Sequence, residues 1–211
     1  MSNRKIAPTM EVYGPLQAAF DFYNSKLFAN KLPPCMITLN RRGDGYGYFH
    51  ANQFKSSDGA ACEISMNANH LTNRPIKEVL GTLAHEMCHL EEEVDGTAPR
   101  QCYHNKRFSQ LMERIGLITS DTGKPGGRRT GQSMSHYIQD GGLFEKVTDE
   151  LLAGGFELRW SAVELGAERS SAGSKKNKQK YQCGCGCNIW AAPGLTMIHH
   201  DDCDTDFKEC K

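Results

Sequence analysis

The chain has 211 residues, of which 38% are hydrophobic and 24% are charged. This composition excludes fibrous and disordered classes, and the length suits one medium domain with a small second module. The formal net charge is zero, so the whole chain has no electrostatic preference for nucleic acid or for an anionic membrane, and any such binding must be local.

The sequence has no segment suited to a membrane. Its opening MSNRKIAPTMEVYG lacks the apolar stretch of a secretory signal, and no later segment has the run of about 20 apolar residues that spans a bilayer. Nine cysteines, an odd number, argue against a disulfide framework and for thiols or metal ligands in a reducing compartment. We therefore expect a soluble, cytoplasmic protein with no membrane partner.

The first part of the chain predicts a helix followed by a small sheet. Apolar residues at helical spacing favour a helix over residues 15–32, which Pro33 and Pro34 would end. Short segments rich in β-branched and aromatic residues follow at 36–39, 46–49 and 62–66. They are typical of a small, mainly antiparallel sheet.

The clearest helix in the sequence follows Pro75. Apolar residues recur at steps of three and four over 76–90, Pro75 suits the first turn, and Asn73 or Arg74 would cap it. The later predicted elements are a helix over 105–115 stopped by Gly116, a basic Gly-rich loop over 120–131, a helix over 144–154, a strand over 156–165 and a polar, basic tether over 168–180.

The segment LAHEMCHL places the pattern H-E-x-x-H on the helix after Pro75, with His85, Glu86 and His89 at the fixed positions. Two histidines four residues apart lie one turn above each other, so both imidazoles can bind one ion while the glutamate faces its open side. The pattern is typical of a zinc peptidase in which Glu86 is the general base toward a metal-activated water. It also arises by chance on exposed helices, but the apolar flanks here argue against that.

A catalytic zinc keeps three protein ligands, so a third one is needed. His104 is the leading candidate, because it follows a turn marked by Gly96 and Pro99 and precedes the next predicted helix. No pattern identifies the group that stabilises the oxyanion, for which His136 and Tyr137 are candidates, and a peptide substrate could extend the edge of the sheet. The alternative third ligands directly follow the motif: Glu91, Glu92 and Glu93.

The tail YQCGCGCNIWAAPGLTMIHHDDCDTDFKEC has the residues of a second metal site. A structural zinc takes four soft ligands from two short turns. Cys183 and Cys185 form the first pair, with Cys187 as a competitor, and His200 and Cys203 form the second pair. We expect a bound zinc, because so short a segment has too little core to fold without metal.

These motifs together resemble the SprT-like family, the zinc metallopeptidase domain of bacterial SprT proteins and of the eukaryotic DNA–protein crosslink protease Spartan. The resemblance covers about residues 10–117 and rests on LAHEMCHL, on EISMNANHL before it, and on HNKRF, which is similar to the family's H-G-x-x-F with Asn105 in place of Gly. It implies that His85, His89 and His104 are zinc ligands and that Glu86 is the catalytic glutamate.

The tail is also similar to the zinc ribbon that follows many SprT-like domains, in which a cysteine pair precedes an Asn-x-Trp segment. Asn188 to Trp190 supply that segment, so Cys183 and Cys185 would be ligands and Cys187 would directly precede it. Further candidates follow in the tail, namely His200 in the position of a cysteine, with His199 and Cys210 as substitutes.

The sequence therefore predicts an α+β protein with a compact zincin-type metallopeptidase domain, in which a small, mainly antiparallel sheet packs on helices, and a small zinc ribbon. The predicted domains are a SprT-like metallopeptidase over 10–120, an extension that forms a lid or cleft wall over 121–167, a basic flexible linker over 168–180 and the ribbon over 181–211.

The predicted function is zinc-dependent hydrolysis of a protein or peptide substrate, with DNA-associated proteins as the candidate substrates. The alternative is a non-enzymatic, zinc-containing nucleic-acid-binding protein, although a purely structural site has no use for the base Glu86. Trp190 and nearby lysines favour contact with single-stranded or duplex DNA; a solvated linker and a Trp buried in the ribbon are the competing interpretation. The lysines are Lys175, Lys176, Lys178 and Lys180.

Overall fold

The computed structural model describes residues 6–41, 43–57, 59–100, 103–160, 162, 178–194 and 198–210. The chain folds as two compact units, a first unit over residues 1–163 and a second unit over residues 164–211. None of the helices in the described ranges combines the length and apolar character that a membrane span requires.

The first unit mixes helices with small sheets, which confirms the α+β class. Its elements in chain order are α1 (Pro8–Leu27), β1 (Met36–Asn40), β2 (Gly47–Ser56), β3 (Gly59–Asn67), a short 3-10 helix (Ala68–His70), α2 (Ile76–Val94), α3 (Lys106–Ile115), β4 (Leu117–Ser120), β5 (Ser135–Ile138) and α4 (Leu143–Ala153).

The main sheet has the strand order β1-β3-β2, with β3 in the middle. β2 runs antiparallel to β3, as predicted, but β1 runs parallel to β3. The connection from β1 to β2 therefore passes the end of β3, and the three strands do not form a simple meander. The expectation of a mainly antiparallel sheet holds for only one of these pairings, because short apolar runs predict strands but carry no information about their direction.

α1 differs from its prediction at both ends. It begins at Pro8, so that Pro15 lies inside the helix, and it ends at Leu27. The apolar pattern continues to Leu32 because that residue is buried in the turn after the helix, where its backbone is held by the side-chain amide of Asn24 at 2.9 and 3.1 Å.

α2 is confirmed, although its predicted cap is wrong. Pro75 itself occupies the cap position, and its carbonyl accepts from the N–H of Glu78 at 2.9 Å. The guanidinium of Arg74 donates to the hydroxyl of Thr82 at 3.2 Å instead of capping the helix. α2 is buried along most of its length, so it forms the centre of the first unit.

The segment after α2 contains both confirmed and unexpected elements. α3 ends at Ile115, and Gly116 follows it with a φ of +87°, the left-handed conformation expected of a glycine stop. β4 and β5 form an antiparallel pair that no pattern predicted, because each has only four residues. The strand expected over 156–165 is wrong for 156–160, which are irregular, and its residues 161 and 163–165 lie outside the described ranges.

α4 packs into the same core as α1 and α2. Phe144 is fully buried, and its ring lies 5.6 Å from that of Tyr23 in α1. The buried hydroxyls of Tyr23 and Thr148 are hydrogen-bonded at 2.8 Å, so α1 and α4 share a polar contact inside an apolar interface. Residues after 121 therefore help to enclose the helix that carries the H-E-x-x-H motif.

The second unit is a small β structure. Its strands are β6 (Gln179–Gln182), β7 (Asn188–Ala191), β8 (His199–His200), β9 (Thr205–Asp206) and β10 (Lys208–Glu209). The order β10-β6-β7 gives one antiparallel sheet, and β8 pairs with β9. Tyr181 of β6 is buried. Most of the tether predicted over 168–180 lies outside the described ranges.

Candidate metal centre

α2 and the residue before α3 bring three imidazoles together. His85 and His89 lie on the same face of α2, and His104 precedes the cap of α3. The Nε2 atom of His104 is 3.1 Å from Nε2 of His85 and 3.2 Å from Nε2 of His89. One donor atom from each ring falls within 4.8 Å of the others, so a single ion could contact all three.

The protonation of these rings suits a metal. Burial lowers the pKa of His85 well below its usual range and that of His89 to about 3, and it also lowers the pKa of His104. The imidazoles are therefore neutral at physiological pH. Three neutral rings that turn the same nitrogen toward one point offer lone pairs to a cation, which is the donor set that zinc prefers.

His104 is held by the segment before β5. Its backbone forms an antiparallel bridge with Gly131, with N···O distances of 2.8 and 3.0 Å. The Nδ1 atom of His104 also lies 3.3 Å from the carbonyl oxygen of Gly131, which can only accept. The proton of the ring is thereby placed on Nδ1, and Nε2 stays free to bind an ion.

Phe108 forms an apolar support for the site. This fully buried residue of α3 places its ring 4.9, 4.1 and 4.8 Å from the rings of His85, His89 and His104. The imidazoles therefore have little room to rotate away from one another.

Glu86 faces an open cleft of about 880 Å³. Burial raises the pKa of its carboxyl to about 8. The strand β2 passes close by, and a Cβ atom at Gly47 would lie 3.1 Å from Oε1 of Glu86 and 2.9 Å from the Thr82 methyl group. Glycine at position 47 thus permits the strand to approach Glu86. Other residues lining the cleft include Phe49, Glu93, Tyr103, Ser133 and His136.

The three glutamates considered as third ligands do not belong to this group of donor atoms. Glu91 makes a paired contact with the guanidinium of Arg114, at 2.9 and 2.5 Å, and therefore faces α3. Glu92 is buried with its carboxylate 3.7 Å from Nδ1 of His89, on the far side of that ring, and burial raises its pKa to about 7. Glu93 lies at the edge of the cleft. The structure thus brings His104, rather than any of these, to His85 and His89.

Of the two oxyanion candidates, only His136 reaches the site. Its Nδ1 atom lies 3.3 Å from Nδ1 of His85, and burial lowers its pKa to about 4. Tyr137 is the next residue of β5, so its side chain points to the other face of that strand. It is not among the residues that line the cleft.

The second unit gathers a separate group of donors. The Sγ atoms of Cys183 and Cys185 lie 3.0 Å apart, and each is 3.5 Å from Nδ1 of His200. Cys187, expected only as a competitor, joins these three within 4.8 Å. Cys203 is 3.0 Å from His200 Nδ1, so more sulfur and nitrogen donors are present than a four-coordinate zinc needs.

The substitutes for this second group lie elsewhere. The ring of His199 contacts the carboxylates of Asp206 at 3.0 Å and Asp204 at 3.3 Å. Cys210 closes the edge of the sheet through a backbone hydrogen bond to Lys180 at 2.9 Å and is not part of the donor group.

Comparison with known proteins identifies the first unit. A model of the SprT-like family matches residues 16–127. The chain belongs to the SprT-like family. The matched range contains the H-E-x-x-H helix and His104 of this SprT-like chain, whereas His136 and the donor group of the second unit lie beyond it.

A curated relative is also similar to part of this SprT-like chain. It is a Salmonella typhimurium protein described as an uncharacterized protein in the mucB 3′ region, 55% identical over 47 residues. The aligned part is 22% of this chain and 64% of the relative, so the similarity spans less than two thirds of that protein.

Proposed function

We propose that this SprT-like protein is a zinc-dependent metallopeptidase of the zincin type. The observation that carries the proposal is the convergence of three imidazole nitrogens beside a buried glutamate in an open cleft. Zinc, when bound, supplies a Lewis acid that polarises the scissile carbonyl and makes an attacking water more acidic.

The residues of the chain have distinct parts in this reaction. His85, His89 and His104 would hold the ion through Nε2, with the Nδ1 proton of His104 directed to Gly131. Glu86 would accept a proton at its carboxylate from the attacking water and return it to the leaving amine nitrogen. A buried carboxyl whose pKa lies near neutrality can exchange protons in both directions at physiological pH.

The position of β2 supports a peptide substrate. In the described part of the first unit, one edge of β2 pairs with β3 and no strand occupies its other edge. Residues of β2 line the cleft beside Glu86. An extended peptide could therefore add to this edge through backbone hydrogen bonds, with its scissile bond near the three imidazoles.

The geometry favours a peptidase over a zinc site with a structural role only. A structural zinc is closed by four protein ligands. Among the described residues, the group around His85 offers three donors, and the side facing Glu86 opens into the cleft.

The experiment that tests the proposal compares wild type with Glu86→Gln on an unfolded protein substrate, with zinc quantified in both. We expect kcat/KM to fall about 100- to 10,000-fold in the variant, because the general base is lost. Glu93→Gln, on the same helix at the edge of the cleft, is the control and should retain activity within a few fold. Equal activity of wild type and Glu86→Gln at equal zinc content would refute the mechanism.

We further propose that the second unit is a zinc ribbon that contacts DNA, which would direct the peptidase to DNA-associated proteins. Trp190 is 61% exposed on β7, so it lies outside the small core that contains Tyr181. It pairs with Lys180 of β6, and Lys208 lies on the same face through its pairing with Gln182. An exposed aromatic beside two cations on the same face of the sheet suits base stacking with phosphate contacts. Lys175 and Lys176 lie outside the described ranges.

A titration with single-stranded and duplex DNA across a salt series tests this surface. We expect affinity to fall as salt rises, and Trp190→Ala to weaken binding of single strands about 10-fold, since a stacked base contributes about 1–3 kcal/mol. Trp160→Ala, in the first unit, is the control. An affinity that does not change with salt concentration would exclude this surface as a DNA-binding site. Equal affinities of Trp190→Ala and Trp160→Ala would exclude it as well.

A further inference from the structure

Gly81 lies one turn before His85 in α2, where glycine is disfavoured relative to alanine. A Cβ atom at this position would lie 2.9 Å from Nε2 of His136, closer than real Cβ contacts allow. The next contacts, with Cδ2 of His136 and Cζ of Phe144, are both ordinary at 3.8 Å. The missing side chain therefore leaves the space that the ring of His136 fills.

His136 reaches this space from a distant part of the chain. It lies 51 residues from His85, on β5, where it pairs with Thr119 of β4. Its ring centroid is 5.2 Å from that of His85 with an angle of 31° between the planes, and the two Nδ1 atoms are 3.3 Å apart. The hairpin thus presses His136 against the side of His85 that faces away from the other ligands.

The hydrogen bond between these rings has a preferred direction. The Nε2 atom of His85 faces Nε2 of His104 at 3.1 Å, so its lone pair is the one available to an ion. The proton of His85 then lies on Nδ1, and this N–H group donates a hydrogen bond to Nδ1 of His136. Metal-binding histidines usually donate their second N–H to a carboxylate, a carbonyl or water, whereas the acceptor here is another imidazole.

We propose that His136 is a positioning residue that orients the metal-binding ring of His85 by accepting a hydrogen bond from its Nδ1–H group, and that Gly81 provides the room for it. This inference rests on the proposed function, because it assumes that His85 binds an ion. It assigns His136 a role different from oxyanion stabilisation, since Nδ1 contacts His85 and Nε2 lies against Gly81.

The first test measures the zinc dissociation constant of the full chain by competition with a chelator. His85→Ala removes the first site, so the zinc binding that remains in this variant measures the contribution of the ribbon. We expect His136→Phe, which keeps a ring but loses the acceptor, to weaken the first site about 10- to 100-fold. His136→Asn can place its Oδ1 atom where Nδ1 was, so it should stay within about 3-fold of wild type.

A second test uses the contact with Gly81. Gly81→Ala should weaken zinc binding at the first site by displacing the His136 ring. The same substitution in the His136→Asn background should have little effect, because asparagine has no atom at the Nε2 position. An equal effect of Gly81→Ala in both backgrounds would mean that alanine acts on the helix alone, and the inference would be wrong.

The outcomes separate this inference from the proposed function. Unchanged zinc affinity in His136→Phe, with a normal wild-type site, overturns the positioning role and leaves the peptidase proposal intact. Equal zinc content in wild type and His85→Ala would instead show that the three imidazoles hold no zinc, which overturns both. Loss of zinc binding in His136→Phe together with retention in His136→Asn supports the inference, because a general folding defect would not be repaired by asparagine.

Discussion

Asn105 caps the helix that follows the third imidazole. Its side-chain oxygen accepts a hydrogen bond from the backbone N–H of Phe108 at 2.8 Å, and its own backbone is extended. Phe108 is the ring that supports all three imidazoles. An asparagine in place of the family's glycine is therefore compatible with His104 as a ligand, because it fixes the start of α3 directly after that residue.

We predict that Asn105→Ala lowers the free energy of unfolding by about 1 kcal/mol, because the N–H of Phe108 loses its acceptor. Asn105→Ser should retain most of the stability, since serine is also a good cap. Urea denaturation followed by circular dichroism measures both. Gln17→Ala, on an exposed part of α1, serves as the control and should change the value by less than about 0.5 kcal/mol; a loss equal to that of Asn105→Ala would contradict a capping role.

The local part of the candidate site could be predicted and the distant part could not. His85, Glu86 and His89 follow from the spacing of a single helix, and His104 follows from its place shortly before the next one. Gly131 and His136 approach the site through a backbone bridge and a hairpin with a long connecting loop. No spacing in the sequence relates either residue to α2, so His136 could be singled out only by its chemistry.

At the scale of elements, α2 and α3 are joined by the pair of Glu91 and Arg114. The carboxylate side chain is only 4% exposed, while the guanidinium is 44% exposed. Nη1 of Arg114 donates to Oε1 of Glu91 and Nη2 donates to Oε2, and these two parallel bonds are the geometry in which arginine binds a carboxylate most strongly. Glu91 follows His89 by two residues in α2, so the contact helps to set the approach of α3 to this part of the helix.

Arg114→Met is expected to lower the free energy of unfolding by about 1–3 kcal/mol, because it leaves a buried carboxylate without its charged hydrogen bonds. The matched control is Arg129→Met. Arg129 forms a comparable pair with Glu113 at 3.0 Å, but both side chains there are about half exposed, so its loss should cost less than about 1 kcal/mol. Similar urea midpoints for the two variants would show that burial of Glu91 does not strengthen its pair.

Helices were easier to predict than strands for a physical reason. α2, α3 and α4 each bury one apolar stripe, and the three- and four-residue spacing records that stripe directly. β4 and β5 are too short to show an alternation, and the parallel pairing of β1 with β3 depends on the position of β2 at the far edge of the sheet. The end of α1 was misplaced because Leu32 is buried in a turn, where apolar character no longer indicates a helix.

At the scale of the whole molecule, the two donor groups predict different responses to metal removal. We expect two zinc ions per chain, with His89→Ala and Cys183→Ser each losing one. Treatment with a chelator should abolish amide-exchange protection of residues 179–210, because their small core depends on the metal. Most of the helical signal should persist, because the first unit has a large core of its own.

Hydrogen exchange measured by mass spectrometry checks this prediction, with His89→Ala as the control that should keep the second unit protected. Persistent protection of residues 179–210 after chelation would show that this unit folds without metal.

The sequence could locate this second group but not choose among its donors, because closely spaced cysteines and histidines satisfy several arrangements. The β6–β7 turn brings Cys187 to the group, a contact that spacing alone left open.

The bridge between His104 and Gly131 also has a consequence for the order in which the candidate site assembles during synthesis. Translation proceeds from the N-terminus, so the H-E-x-x-H segment and His104 emerge from the ribosome before Gly131 and His136 do. During that interval, His104 lacks its carbonyl acceptor and His85 lacks its imidazole neighbour. A nascent chain therefore exposes all three ligands before the contacts that orient them exist, and the arrangement becomes complete only when the β4–β5 hairpin has closed.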